Sequence, residues 1–352
     1  MNKRAAILTI AFFLLLSLLG HLGFAPALQA QTDPFYKGKT IRIIGYTTGG
    51  VQGHWGRLFA RYIGKYIPGN PDVIVQIMPG AGSIIAANYV YGIAKPDGLT
   101  LGMFLNNIYL YQLVGRKEAQ FDMGKFGWIG SPAGEAMVLY MRADAPYKSI
   151  ADIIKAKEPP KCGGSGTASS SYILAKLLED TTGANFKLVL GYPDGASVDL
   201  AVEKGEVICR AHNTSAHFGR EPFNSWHKKG FDRHIVQTGR KRDPQLPDTP
   251  TIYELMDQFK TPDLNRRAAQ VLFAGGEFGR PILATPGIPP DRVNALREAF
   301  AKTLKDPELL AEAKKWKMNV DPSSGEELHA LVKEVMEQPK EVVERVKKIL
   351  GN

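Results

Sequence analysis

Apolar and polar positions follow two rhythms along this chain, and the rhythms alternate. Residues 40–45 (Thr-Ile-Arg-Ile-Ile-Gly) form a short apolar run ending in glycine, the pattern of a buried strand. Over residues 53–66, Trp55, Leu58, Phe59, Tyr62, Ile63 and Tyr66 recur every three or four positions, the period of an amphipathic helix. Pro68-Gly69-Asn70-Pro71 breaks the chain; residues 72–77 then predict a strand and residues 84–93 a helix. A Pro96-Asp97-Gly98 turn leads into a further strand at 99–104. Strand, helix, strand, helix, strand with short turns predicts an α/β fold with a parallel sheet, because parallel neighbours need a crossover between them.

The alternation restarts at 137–141, an apolar strand that carries the chain into a second lobe. Ser149 is placed to cap a short helix at 149–156. A strand near 161–163, the turn Gly164-Ser165-Gly166-Thr167 and a helix at 169–182 follow, then strands at 186–190, 207–210 and 234–238. Beyond Thr249 helices dominate, at 251–258, 263–274, 290–304, 306–316 and 323–349, with one strand at 281–285. This order predicts two crossings between lobes: residues 31–136 with 245–352 in one, 137–244 in the other. A ligand in the cleft between them favours closure only by touching both.

The N-terminus changes the picture by adding a compartment. Lys3 and Arg4 precede an apolar run at 5–19 and a small-residue stretch ending Ala27-Leu28-Gln29-Ala30, the order of a cleavable export signal over residues 1–30. The alternative, a retained anchor, needs about 20 apolar residues, more than this run has. Cleavage after Ala27 or after Ala30 both remain open, and no cysteine nearby offers a lipid anchor. The expected destination is the periplasm.

Charge narrows the partners only a little. The formal net charge is +9, and losing Lys3 and Arg4 with the signal leaves +7. The basic residues are scattered, Arg240-Lys241-Arg242 being the densest run, which argues against nucleic acid; mild basicity suits anionic solutes. Cys162 and Cys209 lack metal-ligand spacing; in an exported chain they can form a disulfide or remain buried thiols.

Three turns carry the candidate chemistry: Thr47-Thr48-Gly49-Gly50, Pro79-Gly80-Ala81-Gly82-Ser83, and residues 163–171. Each places glycine or small polar residues just ahead of a helix, where unpaired N–H groups and the helix dipole can hold an anion; each can also be a simple tight connection. Enzyme motifs are absent: there is no GxGxxG, GxxxxGK[ST] or GxSxG. The histidines show no HExxH, and His212 and His217, five apart, do not share a helix face, so neither a metal nor a cofactor is expected.

The motifs, taken in order, resemble the periplasmic receptors of tripartite tricarboxylate transporters. The resemblance rests on Phe35-Tyr36-Lys37-Gly38-Lys39-Thr40-Ile41, Thr47-Thr48-Gly49-Gly50, Met78-Pro79-Gly80-Ala81-Gly82-Ser83 with Ala86-Ala87-Asn88, and Lys95-Pro96-Asp97-Gly98-Leu99. It continues through Gly205-Glu206-Val207, Leu246-Pro247-Asp248-Thr249-Pro250 and Ala284-Thr285-Pro286-Gly287-Ile288-Pro289. It implies a two-lobed periplasmic-binding fold of the second type, each lobe a mostly parallel sheet flanked by helices, with a ligand cleft between. It also implies a monomeric, non-enzymatic receptor that delivers a small organic acid to a large and a small membrane subunit. The implied ligand contacts are Thr47, Thr48, Gly49, Gly50, Val51, Gln52, Asn106 and Asn107 in the first lobe. In the second they are Ser165, Thr167, Ser169, Ser170, Ser171, Tyr192, Pro193, Asp194, Gly195, His212, Asn213 and Thr214. Competing roles are strand-end capping for Asn106 and Asn107, packing for Tyr192 and a satisfied buried histidine for His212. The chain departs from the family at Gly53, where many members carry an acid; this disfavours ligands with a free amine. Rival readings are a ligand sensor on the same fold, an exported hydrolase using Ser165 or Ser169, and a tethered surface protein.

Overall fold

A computed structural model describes residues 34–45, 50–166, 169–193 and 195–350. The export signal expected at 1–30 lies outside them. In chain order the strands are β1 (Thr40–Gly45), β2 (Asp72–Ile77), β3 (Thr100–Met103), β4 (Gly127–Ser131), β5 (Met137–Arg142) and β6 (Lys161–Gly164). Then come β7 (Lys187–Leu190), β8 (Cys209–Asn213), β9 (Asp232–Gln237), β10 (Ile282–Ala284) and β11 (Ser323–Ser324).

They form two sheets, ordered β11-β4-β10-β3-β1-β2 and β7-β6-β8-β5-β9. The mostly parallel expectation holds in part: β2, β1, β3 and β4 point one way in the first sheet and β7, β6, β8 and β9 one way in the second, with β10, β11 and β5 reversed. β1 is parallel to β2 and β3, and β6 to β7 and β8; these are the strand–helix–strand units visible in the sequence. β10 runs antiparallel to β3 and β4, β11 to β4, and β5 to β8 and β9. These antiparallel strands enter from the opposite lobe or from the C-terminal helices, so no helical crossover dictates their direction.

Local rules account for many boundaries. Ile41, Ile43 and Ile44 are fully buried, as in a strand covered on both faces. Ser149 and Ser169 cap the helices Ile150–Lys155 and Ser170–Thr182 by accepting from the amides of Asp152 and Tyr172. Thr251 and Glu254 close a capping box on the helix Ile252–Gln258. The single helix expected at 323–349 is instead two, Gly325–Met336 and Lys340–Leu350. Pro339 has no N–H to donate and its ring would clash with the carbonyl four residues back.

One buried apolar cluster reaches from the first sheet to the second. Phe104, Tyr109 and Trp128 from the first lobe and Leu139, Leu174 and Val236 from the second belong to one buried cluster. Phe278, from the helix Asp263–Phe278, joins it and stacks on Trp128 at 5.1 Å. The C-terminal segments also reach the second lobe: Thr261 donates to the carbonyl of Thr181, Asn265 to that of Asp180 at 2.7 Å, and Arg345 pairs with the Asp180 carboxylate. Cys162 and Cys209 are neighbours in the β6–β8 ladder and are disulfide-bonded.

Candidate ligand cleft

The chain crosses from the first sheet to the second between β4 and β5, and this crossing meets the end of the helix Asp263–Phe278. Glu135 N–H donates to the Gly276 carbonyl at 2.7 Å, Thr214 N–H to that of Ala136 at 2.9 Å, and Met137 N–H to Thr238 Oγ1 at 2.8 Å. The approach demands glycine: a Cβ on Gly276 would lie 2.9 Å from the Glu135 carbonyl oxygen. One on Gly279, whose φ is +61°, would collide with the carbonyl of Ala133. The carboxyl ends of β3 and β8 reach this junction, the end of the strands at which open α/β sheets hold ligands.

Glu135 organises the junction. Its Oε1 accepts from Asn213 Nδ2 at 2.5 Å and pairs with Arg280 Nη2 at 3.2 Å, while Oε2 lies 3.4 Å from Asn106 Nδ2. Asn106 Nδ2 also donates to the Gly275 carbonyl at 2.7 Å. Arg280 is only 4% exposed, which favours a held guanidinium over a solvated one. Beside Asn213, Thr214 is 4% exposed, and its Oγ1 is buried without a hydrogen-bond partner among the described residues. The structure thus brings Asn106, Asn213 and Thr214 to one place. Glu135 and Arg280 lie outside the three turns singled out from the sequence, although each directly follows a glycine, Gly134 and Gly279.

The other expected contacts divide. Thr47, Thr48, Gly49, Thr167 and Asp194 lie outside the described residues. Gly50 and Val51 open the helix Gly50–Tyr62, in which Gln52 Nε2 donates to the Phe104 carbonyl at 3.2 Å. Gly53 is buried in that helix, and the ring of the adjacent His54 lies tilted against Trp316 at 4.3 Å. Asn107 precedes the helix Ile108–Leu113 without capping it through its side chain. Ser165 and Pro193 are exposed, and Ser170 is half-buried at the start of its helix. Ser169 serves as a cap and donates to the Gly166 carbonyl at 2.7 Å; Ser171 exchanges hydrogen bonds with the backbone of Ala211. Tyr192 packs against the small core around Tyr140, and the Gly195 carbonyl accepts from Arg210 at 2.8 Å.

His212 belongs to the interior of the second lobe. Its Nε2 lies 2.8 Å from His217 Nδ1 and its ring packs against Phe223 at 4.5 Å. Burial, then the charges of Arg210 and His217, push its pKa far below the usual histidine range. Nearby, Tyr140 donates to Asp199 at 3.0 Å, and Asp199 also pairs with Arg210; burial, then Asp199, raise the phenol well above its usual value. A surface depression of about 640 Å³, lined by Thr40, Arg42, Lys95, Asp97 and Thr100 among others, sits at the amino ends of β1 and β3, away from the junction.

Residues 65–348 match the family described as "Tripartite tricarboxylate transporter family receptor". A TctC solute-binding protein from Polaromonas is similar in fold, with a TM-score of 0.70 and 20% identity, over 90% of this chain and 99% of that one. An R. palustris protein with adipate has a TM-score of 0.56 and 20% identity, over 89% and 98% of the two chains. MatC from Rhodopseudomonas palustris with bound malate has a TM-score of 0.53 and 19% identity, over 89% and 99%. No curated protein sequence matches significantly. Among the described residues no helix is long and apolar enough to cross a membrane. The chain belongs to the tripartite tricarboxylate transporter receptor family, whose members are solute receptors and not enzymes.

Proposed function

We propose that this chain captures a small organic carboxylate between its lobes in the periplasm and, as a monomer, hands it to the large and small membrane subunits of a tripartite tricarboxylate transporter. The observation that carries the reading is the buried hydroxyl of Thr214, without a hydrogen-bond partner among the described residues, beside Asn213, Glu135 and Arg280. An unpartnered buried hydroxyl costs stability, and a ligand oxygen that accepts from it recovers that cost. Thr47, Thr48 and Gly49 of the first lobe and Ser165 and Thr167 of the second complete the proposed contact set. Donors to a dry carboxylate contribute roughly 1.5–3 kcal/mol each. Adipate and malate accompany two proteins of similar fold, which supports the ligand class. Gly53 in place of an acid favours ligands without an amine.

The test is a thermal-shift screen of the purified protein against aliphatic, hydroxylated and aromatic carboxylates. A ligand at 100 times its dissociation constant adds about 2.7 kcal/mol to folding stability. The reading fails if no carboxylate moves the transition while a sugar or a cationic amine does.

A further inference from the structure

Three histidines and an aspartate that the cleft does not use meet on one side of the second sheet. His217 comes from the helix Thr214–Gly219, His227 from the helix Phe223–Lys229, and Asp232 and His234 from β9. One nitrogen or oxygen of each lies within 4.8 Å of those of the others. His217 Nε2 is 2.8 Å from His234 Nε2 and 3.0 Å from Asp232 Oδ2. His227 Nδ1 is 3.0 Å from Asp232 Oδ1, and His234 Nε2 is 3.5 Å from Asp232 Oδ2. The side chains of His217 and Asp232 are 0% and 1% exposed; those of His227 and His234, at 23% and 20%, leave an edge open for entry.

We propose that His217, His227, Asp232 and His234 bind one zinc-type divalent cation in a closed, four-coordinate site. Four bonds of 2.0–2.2 Å arranged tetrahedrally put ligand atoms roughly 3.3–3.6 Å apart; the contacts above run from 2.8 to 3.5 Å and the whole group spans up to 4.8 Å, so side-chain shifts of about an ångström or less would close it around an ion. Charge argues the same way. Among the described residues, the ion-pair partners of the buried Asp232 carboxylate are these three imidazoles, with no lysine or arginine. A buried carboxylate needs a compensating cation.

The outer contacts select the inward-facing nitrogens. His212 Nε2 lies 2.8 Å from His217 Nδ1, so a proton on that Nδ1 leaves the lone pair of Nε2 facing the cluster. His227 Nε2 lies 3.3 Å from the His217 carbonyl and donates to it when protonated, freeing Nδ1 as the ligand atom. Three imidazoles and one carboxylate suit zinc and its cobalt or nickel analogues, not calcium or magnesium, which prefer oxygen. Four protein ligands leave no open position, so the role is structural. The ion would clamp both short helices to β9 and steady the helix that begins with Thr214. This site does not depend on the carboxylate reading.

The test uses tag-free protein stripped with a chelator, then titrated with zinc against a chromophoric competitor. We expect one zinc per chain, bound at about 10⁻⁷ M or tighter, and a rise in melting temperature. Cobalt should give the intense visible band of tetrahedral coordination. His227→Gln and His234→Gln, at the partly exposed ligands, should each weaken zinc by about 100-fold or more; His212→Gln should weaken it about 10–100-fold with the cobalt band retained. Circular dichroism of the stripped variants reports whether they fold, and the wild-type cobalt band and melting shift decide the question if they do not. Substoichiometric zinc, a weak six-coordinate cobalt spectrum, or unchanged affinity in both ligand variants overturns the proposal.

Discussion

Glu135 accepts a hydrogen bond from Asn213 at 2.5 Å, tying the first interlobe crossing to the end of β8. The same carboxylate pairs with Arg280 at 3.2 Å, so one acid links the crossing between the sheets, the end of β8 and the loop before β10. Replacing Glu135 with Ala leaves Arg280 buried and unpaired, at a cost of about 3 kcal/mol. Glu135→Gln, which keeps an acceptor for Asn213, should lose clearly less. Urea unfolding of the two variants measures the difference, and equal losses would show that the charge is immaterial.

Thr214→Val separates ligand binding from packing. The hydroxyl has no partner among the described residues, so its removal should leave the ligand-free protein unchanged or more stable by up to about 1 kcal/mol. Carboxylate affinity should fall by roughly tenfold, the worth of one lost hydrogen bond. Calorimetric titration and a thermal melt on the same sample give both quantities.

Gly279→Ala should be among the most damaging small substitutions. The residue has a φ of +61°, and the new Cβ would run into the backbone carbonyl of Ala133. Strain and overpacking together predict a loss of about 2–4 kcal/mol, read as a lower denaturant midpoint. Gly166→Ala, with no atom of another described residue within 4 Å of the added carbon, is the control and should move the midpoint little.

The Cys162–Cys209 bond spans a sequence separation of 47 residues. Chain-entropy reasoning assigns such a loop roughly 4 kcal/mol. A Cys162→Ser, Cys209→Ser double variant should therefore unfold at a lower denaturant concentration, and a reductant should shift the wild type but not the variant.

Glu254 should contribute a distinct acid sensitivity. The hydrogen bond from Arg242, then the backbone amide of Thr251, hold its pKa below the ordinary value of 4.5. A lowered folded pKa means the unfolded chain binds the proton first, so this stability is present above pH 4.5 and is lost as pH falls through the folded value. The stability of Glu254→Gln should accordingly fall less steeply than that of the wild type below pH 4.5.

Much of the framework was legible because it is local. The bounds of β1 and β2, the Ser149 cap and the helices between Thr249 and Trp316 follow from side-chain period and capping chemistry within a few residues. The short helices Thr214–Gly219 and Phe223–Lys229 were not legible, since six or seven residues are too few to show a period. The helix expected over 323–349 runs through Pro339 because the apolar spacing continues on either side of it.

The sequence by itself determined the fold class and the family resemblance, which in turn named Asn106, Asn213 and Thr214 as cleft candidates, because motif order is readable along one dimension. Only the tertiary structure decided that these residues gather around Glu135 and Arg280, that His212 turns into the second lobe, and that His217, His227, Asp232 and His234 share one small volume. The reason is physical. Backbone hydrogen bonding and amphipathic period act over a few residues, whereas a polar cluster drawn from two lobes or three elements exists only after the packed core has brought distant segments together.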